Sequence, residues 1–109
     1  MKQIPPPMQE DHRYLKFKVR GDDKKNIGEV VNAVWDSALN YMGTKGVSNA
    51  DLWIIGNKFD RKNQEGVIKV NNSCKEDLRA SLVLSNGFKD DSFLSIENVS
   101  GTLVNLEEQ

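Results

Sequence analysis

From Arg13 to Arg20 the chain alternates strictly, with Leu15, Phe17 and Val19 on one side and Tyr14, Lys16, Lys18 and Arg20 on the other, and then the alternation stops. Ile27, Val30, Val31, Val34, Ala38, Tyr41 and Met42 recur instead at steps of three and four residues. A period of two marks a strand with one buried face, and a period near 3.6 marks a helix with one buried stripe. The two segments are therefore committed to different elements: a half-buried strand closed by Gly21-Asp22-Asp23, and an amphipathic helix extended by Trp35. Asn26 and Glu29 make a capping box at the helix start, and Gly43 suits the left-handed position after a last turn, so the spacing predicts a helix from about Ile27 to Met42.

Beyond it, GTKGVSNAD reads as a connection in which Ser48 and Asp51 cap a single helical turn. Leu52-Trp53-Ile54-Ile55 is a short run of strand formers, and Gly66-Val67-Ile68-Lys69-Val70 returns as the second strand of the same hairpin after a polar loop. Ser73 and Glu76 frame another capping box, ahead of a helix stripe of Leu78, Ala80, Leu82, Val83 and Leu84 that Asn86-Gly87 ends. Phe93-Leu94-Ser95-Ile96 supplies a last strand. Strand, helix, strand, strand, helix, strand is the order of the α+β, ferredoxin-like split βαβ architecture, a four-stranded antiparallel sheet with both helices on one face. The first and third strands are then central. Lys16 and Lys18 point to the open face, joined by Val67, Lys69 and Asn71 if Ile68 and Val70 face the helices. Residues 1–12 read as a proline-rich extension around Pro5-Pro6-Pro7, residues 13–104 as the domain and residues 105–109 as an acidic tail.

A chain of 109 residues has room for one core. Its single cysteine excludes an internal disulfide framework and a Cys-rich zinc site. No apolar run approaches the ~18 residues that span a bilayer, and MKQIPPPMQE lacks the hydrophobic stretch of a signal peptide, so a cytoplasmic address with no membrane partner is expected. The formal net charge of −1 argues against a polyanionic ligand only while it is taken as a total. Residues 1–85 carry 14 basic and 11 acidic side chains, whereas residues 86–109 carry 1 basic and 5 acidic ones. A mildly basic body is thus masked by an acidic end, and Arg13, Lys16, Lys18 and Arg20 form a strip free of acidic residues.

The inventory for catalysis is thin. His12 is the sole histidine and falls in the extension, which leaves a Ser/His/Asp or Cys/His arrangement without a fixed base. Cys74 stands at the start of the second helix, where a small, partly buried role is the simplest. Asp22-Asp23 and Asp90-Asp91 read as turn and helix-start chemistry rather than as metal ligands. No phosphate-binding glycine loop occurs, and Trp35 and Trp53 lie in apolar stretches suited to a core or an interface. Lys58-Phe59 and GVIKV lack the stacking aromatics of an RNA-recognition sheet.

Four stretches are more specific than the fold. RYLKFKV, NIGEVVNAVWDSALNYMGTKGVSNADLWIIG, EGVIKVNNSCKEDLRASLVL and VSGTL resemble, in order and spacing, the archaeal ribonuclease P protein component 2 family, relative of a subunit shared by eukaryotic nuclear ribonuclease P and the mitochondrial-RNA-processing ribonuclease. The resemblance covers about residues 5–103. It implies a ferredoxin-like subunit of the ribonucleoprotein that removes the 5′ leader from precursor tRNA. It also implies an RNA active site, magnesium used by the RNA component, and no cofactor or catalytic residue in the polypeptide. The implied partners are ribonuclease P RNA, precursor tRNA in the complex, protein component 3 and the other protein subunits. Carried onto matching positions, it implies RNA contact by Arg13, Lys16, Lys18, Lys45, Lys69 and Asn71. Trp35, Leu39 and Met42 become candidates for the partner interface, alongside packing in the core. The chain departs from the pattern at its end, where Leu103 to Gln109 replaces a basic run and Ser95 and Glu97 stand where arginines are common. A protein-interaction or small-molecule regulatory module of the same fold is the alternative.

Overall fold

The computed structural model describes residues 11–84, 87–88 and 90–102. The expected proline-rich segment, the acidic tail and Asn86 lie outside the described residues, apart from Asp11 and His12. Strand β1 (His12–Arg20) begins one residue earlier than expected. The reason is local: the Asn72 amide donates to the Asp11 carbonyl at 2.7 Å, and the His12 ring lies 3.0 Å from the Asp51 carboxylate. His12 is thus part of the sheet, a correction to its place in the extension.

Helix α1 (Ile27–Ala50) starts as its capping box predicts, with Asn26 Oδ1 accepting from the Glu29 amide at 2.9 Å and Glu29 Oε1 accepting from the Asn26 amide at 3.2 Å. It does not end at Met42. At Gly43 the backbone takes φ 75° and ψ 175°, and helix then resumes to Ala50, with Asp51 in the left-handed conformation closing it. The second half is held because Val47 and Ala50, three residues apart, are both buried in the core. Gly43 is consequently a kink rather than a stop. Replacing it by alanine forces a side chain into a backbone region that only glycine occupies freely, and is expected to cost about 1–3 kcal/mol in urea unfolding.

Strands β2 (Trp53–Ile54) and β3 (Glu65–Asn71) form the expected hairpin, Trp53 opposite Lys69 and Ile54 opposite Ile68. Helix α2 (Lys75–Leu84) is entered differently from expectation. A 3-10 turn over Asn72–Cys74, closed by the Lys75 amide on the Asn72 carbonyl, leads into it, and the Ser73 hydroxyl sits 3.8 Å from the Cys74 sulfur instead of capping at Glu76. Strand β4 (Phe93–Ser100) runs four residues past Ile96. It pairs with β1 through a register shift, Asn98 facing Lys16 and Ile96 facing Phe17, which leaves Glu97 as the extra residue of a bulge.

The sheet order is β2-β3-β1-β4 with every neighbouring pair antiparallel, so the ferredoxin-like arrangement is the one expected, β1 and β3 at its centre. Leu15, Phe17, Val19, Ile68, Val70 and Leu94 meet Val30, Val34 and Ala38 of α1 and Leu78 and Leu82 of α2. With both helices on that face, the even-numbered side chains of β1 are left on the other.

Candidate nucleic-acid interface

Directly opposed residues of an antiparallel sheet share a face, so the register fixes what the open side presents. One row reads Trp53, Lys69, Tyr14, Ser100 across the four strands. The next reads Val67, Lys16, Asn98, then Glu65, Lys18, Ser95, and a last pair sets Arg20 beside Phe93. With strands ~4.8 Å apart, the Trp53 and Tyr14 backbones stand about 10 Å from each other with Lys69 between them. Lys16, Lys18 and Lys69 come together on this face as expected, and none has a carboxylate within ion-pair distance among the described residues. Arg20 is different: Glu97 Oε1 accepts from its guanidinium at 2.9 Å, and the Ser95 hydroxyl donates to the other Glu97 oxygen at 3.0 Å. The bulge residue Glu97 therefore neutralises one end of the strip.

The other expected contact residues do not join this cluster. Arg13 belongs with Leu15 and Phe17, on the helix side at the sheet's end, and its guanidinium is held by Asp11 at 2.9 Å and by the His12 carbonyl at 2.9 Å. Lys45 is exposed, but on the helix layer, past the Gly43 kink. Asn71 is only 2% exposed, and its amide donates to the Asn49 carbonyl at 2.7 Å. It ties α1 to the end of β3, which removes it from the contact set. Of the three interface candidates, Trp35 and Met42 pack against the core and Leu39 is 42% exposed, as Tyr41 is at 45%. A groove between the helices, lined by Tyr41, Met42, Gly46, Asn49, Cys74 and Asp77, opens at the kink.

Of the two roles open to Trp53, core or interface, its exposure excludes the first. The residue is 65% exposed between Leu52 and Ile54, both buried, so it stands on the open face beside Lys69 and not in the core. Together with the half-buried Tyr14 and the exposed Phe93, it gives the open face aromatic rings that Lys58-Phe59 and GVIKV do not supply. The signal was present in the period-two alternation of Leu52-Trp53-Ile54, too short to stand out against the apolar run around it.

At the opposite end of the sheet Asp22, Asp23, Asp90, Asp91 and Ser92 border a small depression. Asp90 is already engaged, its carboxylate accepting from Lys25 Nζ at 2.5 Å and from the Ser92 amide at 2.8 Å. The Lys25 hydrogen bond, followed by those from Ser92, holds its pKa down to about 2, and the Asp90 bond raises that of Lys25. Because Asp90 is more acidic folded than unfolded, the pair's contribution is present above the ordinary carboxylate range and is lost as pH falls from 3.8 towards about 2. Asp90→Asn is expected to remove that pH dependence, measured as urea midpoints across the acid range. Among the described residues no group of three or more His, Cys, Asp or Glu is placed to hold a metal ion, and no helix is long and apolar enough to cross a membrane.

Fold and face together define a ferredoxin-like domain with one cationic, aromatic sheet surface. The sequence model of the Rpp14/Pop5 family matches residues 13–109, and the chain belongs to that family. It is 34% identical to ribonuclease P protein component 2 of Thermococcus gammatolerans, over 99% of this chain and 89% of the relative. The protein of the same name from Methanocaldococcus jannaschii is 33% identical over 94% of this chain and 75% of its own length. In three dimensions the fold is similar to a chain in the cryo-EM structure of yeast ribonuclease MRP, with a TM-score of 0.57 at 16% identity, covering 88% of this chain and 78% of that one.

Proposed function

We propose that the chain is a protein subunit of ribonuclease P that binds and stabilises the catalytic RNA and takes no part in bond cleavage itself. The observation that carries this reading is the open sheet face, where Lys16, Lys18 and Lys69 form no ion pair among the described residues, in a chain that its family spans almost end to end. Lysine contacts to phosphates displace counterions and screen the repulsion between neighbouring RNA segments. The active RNA fold then forms with fewer magnesium ions, which the RNA holds for its own chemistry; the polypeptide holds none. Protein component 3 is the partner subunit, and the helix layer, with Leu39 and Tyr41 exposed, is the side left to it when the sheet faces RNA. Precursor tRNA and the remaining protein subunits complete the assembly, in the cytoplasm.

Reconstitution tests this directly. Cleavage of precursor tRNA by the RNA and the other subunits, titrated with magnesium, is expected to need several-fold more magnesium when this chain is left out. An unchanged rate and an unchanged magnesium midpoint would sink the proposal.

A further inference from the structure

An exposed indole on a strand is costly to leave in water, and here it stands in register with a lysine and a second aromatic ring. Trp53, Lys69 and Tyr14 occupy one row on three adjacent strands, and a further ring, Phe93, stands at the other end of the face beside Arg20, whose charge Glu97 offsets. Lysines alone would suit any polyanion, including the phosphates of a duplex. Rings interleaved with them suit a ligand that offers flat faces and phosphates together. In an A-form duplex the base faces are stacked inside the helix and unavailable, whereas an unpaired strand offers both. We infer that the open sheet face is a stacking platform for single-stranded RNA, with Trp53 and Tyr14 carrying bases and Lys16, Lys18 and Lys69 carrying the phosphates that join them. This rests on the ribonuclease P reading and narrows it from RNA in general to unpaired nucleotides, whether a loop of the RNA component or the leader of the precursor. The charge limits its strength: three phosphate contacts give a salt slope of about −2 for a single strand.

The test uses the full chain, a short oligoadenylate and an RNA hairpin duplex with the same number of phosphates. Oligoadenylate is expected to quench the Trp53 emission, assigned by subtracting Trp53→Phe in which only Trp35 emits, and to bind more tightly than the duplex. Trp53→Ala is expected to weaken its binding roughly tenfold with unfolding unchanged, and Trp53→Phe to restore most of the loss. Equal affinity for the duplex, or unaltered binding by Trp53→Ala, overturns the platform. So does a concentration-dependent change in Trp53 emission without RNA, which would make the occupant a second copy of the chain. In reconstituted enzyme, a KM increase from Trp53→Ala confined to long-leader precursors marks the leader as occupant, and one independent of leader length marks the RNA component. If the whole chain proves dispensable for cleavage while oligoadenylate still binds through Trp53, the subunit reading fails and the platform stands. If Trp53→Ala leaves both binding and cleavage unaltered in an enzyme that needs the chain, the platform alone fails.

Discussion

Replacing Lys16, Lys18 and Lys69 together by glutamate is expected to weaken RNA binding on the order of a hundredfold at low salt and to flatten its salt dependence by about two units of slope. The three side chains share one face, on two central strands that the core holds in fixed register, so their charges act on one ligand. None forms an ion pair among the described residues, and only Glu65, opposite Lys18, offsets part of their charge. Binding measured across a salt series separates this from a change in shape, because loss of phosphate contacts lowers the slope and not only the affinity. The fold should survive: all three lysines are half-buried on the side of the sheet away from the helices, so the cost is that of cross-strand repulsion, chiefly where Lys18→Glu faces Glu65, at about 0.2–1 kcal/mol per pair. Wild-type RNA binding by a folded triple variant would indicate a protein-interaction module that uses another surface.

The largest effect on stability is expected from Phe17→Ala, at about 3–5 kcal/mol in denaturant unfolding. Phe17 is fully buried at the centre of the sheet, and its ring stacks on Phe59 with centroids 6.3 Å apart. Its cross-strand partner is Gly66, where a Cβ atom would lie 2.6 Å from the Phe17 ring. The glycine leaves a gap in β3 that the ring fills, so truncating Phe17 removes both a large apolar side chain and, with Phe59 left alone there, much of the cover over that stretch of backbone. Against a typical domain stability of roughly 5–15 kcal/mol, the loss brings the chain close to unfolding at ambient temperature. Phe17→Leu keeps most of the volume and should lose much less.

Much of this architecture was legible because it depends on near neighbours in the chain. The alternation from Arg13 to Arg20 sets the two faces of β1, and the reciprocal Asn26 and Glu29 bonds start α1 where their spacing says they should. Gly43 was not decidable in the same way. A glycine at positive φ either ends a helix or bends it, and the outcome rests on Val47 and Ala50 reaching a core built from distant strands. The candidate site divides along the same line. Lys16, Lys18 and Lys69 follow from period-two geometry, whereas the withdrawal of Asn71 to the Asn49 carbonyl joins β3 to α1 only in the fold, and Arg13 is tied to Asp11 by a side-chain bond that alternation does not show. Glu97 shows the limit most clearly. Its pairing with Arg20 requires the bulge in β4, and no local signal announces a bulge between Lys16 and Phe17.

The charge of the chain has the same origin in position. A total of −1 conceals a face on which three lysines outnumber Glu65 and a bulge where Arg20 and Glu97 cancel. RNA affinity of the isolated chain is accordingly expected to be modest, and the assembled particle is where contacts should be mapped. Crosslinking the reconstituted ribonucleoprotein to its RNA and assigning the crosslinked residues does this in one measurement. Crosslinks at Lys16, Lys18 and Lys69, with Trp53 or Tyr14 between them, are the expected result. Crosslinks confined to the helix layer, at Lys45, Lys75 or Arg79, with the sheet face untouched, would contradict it.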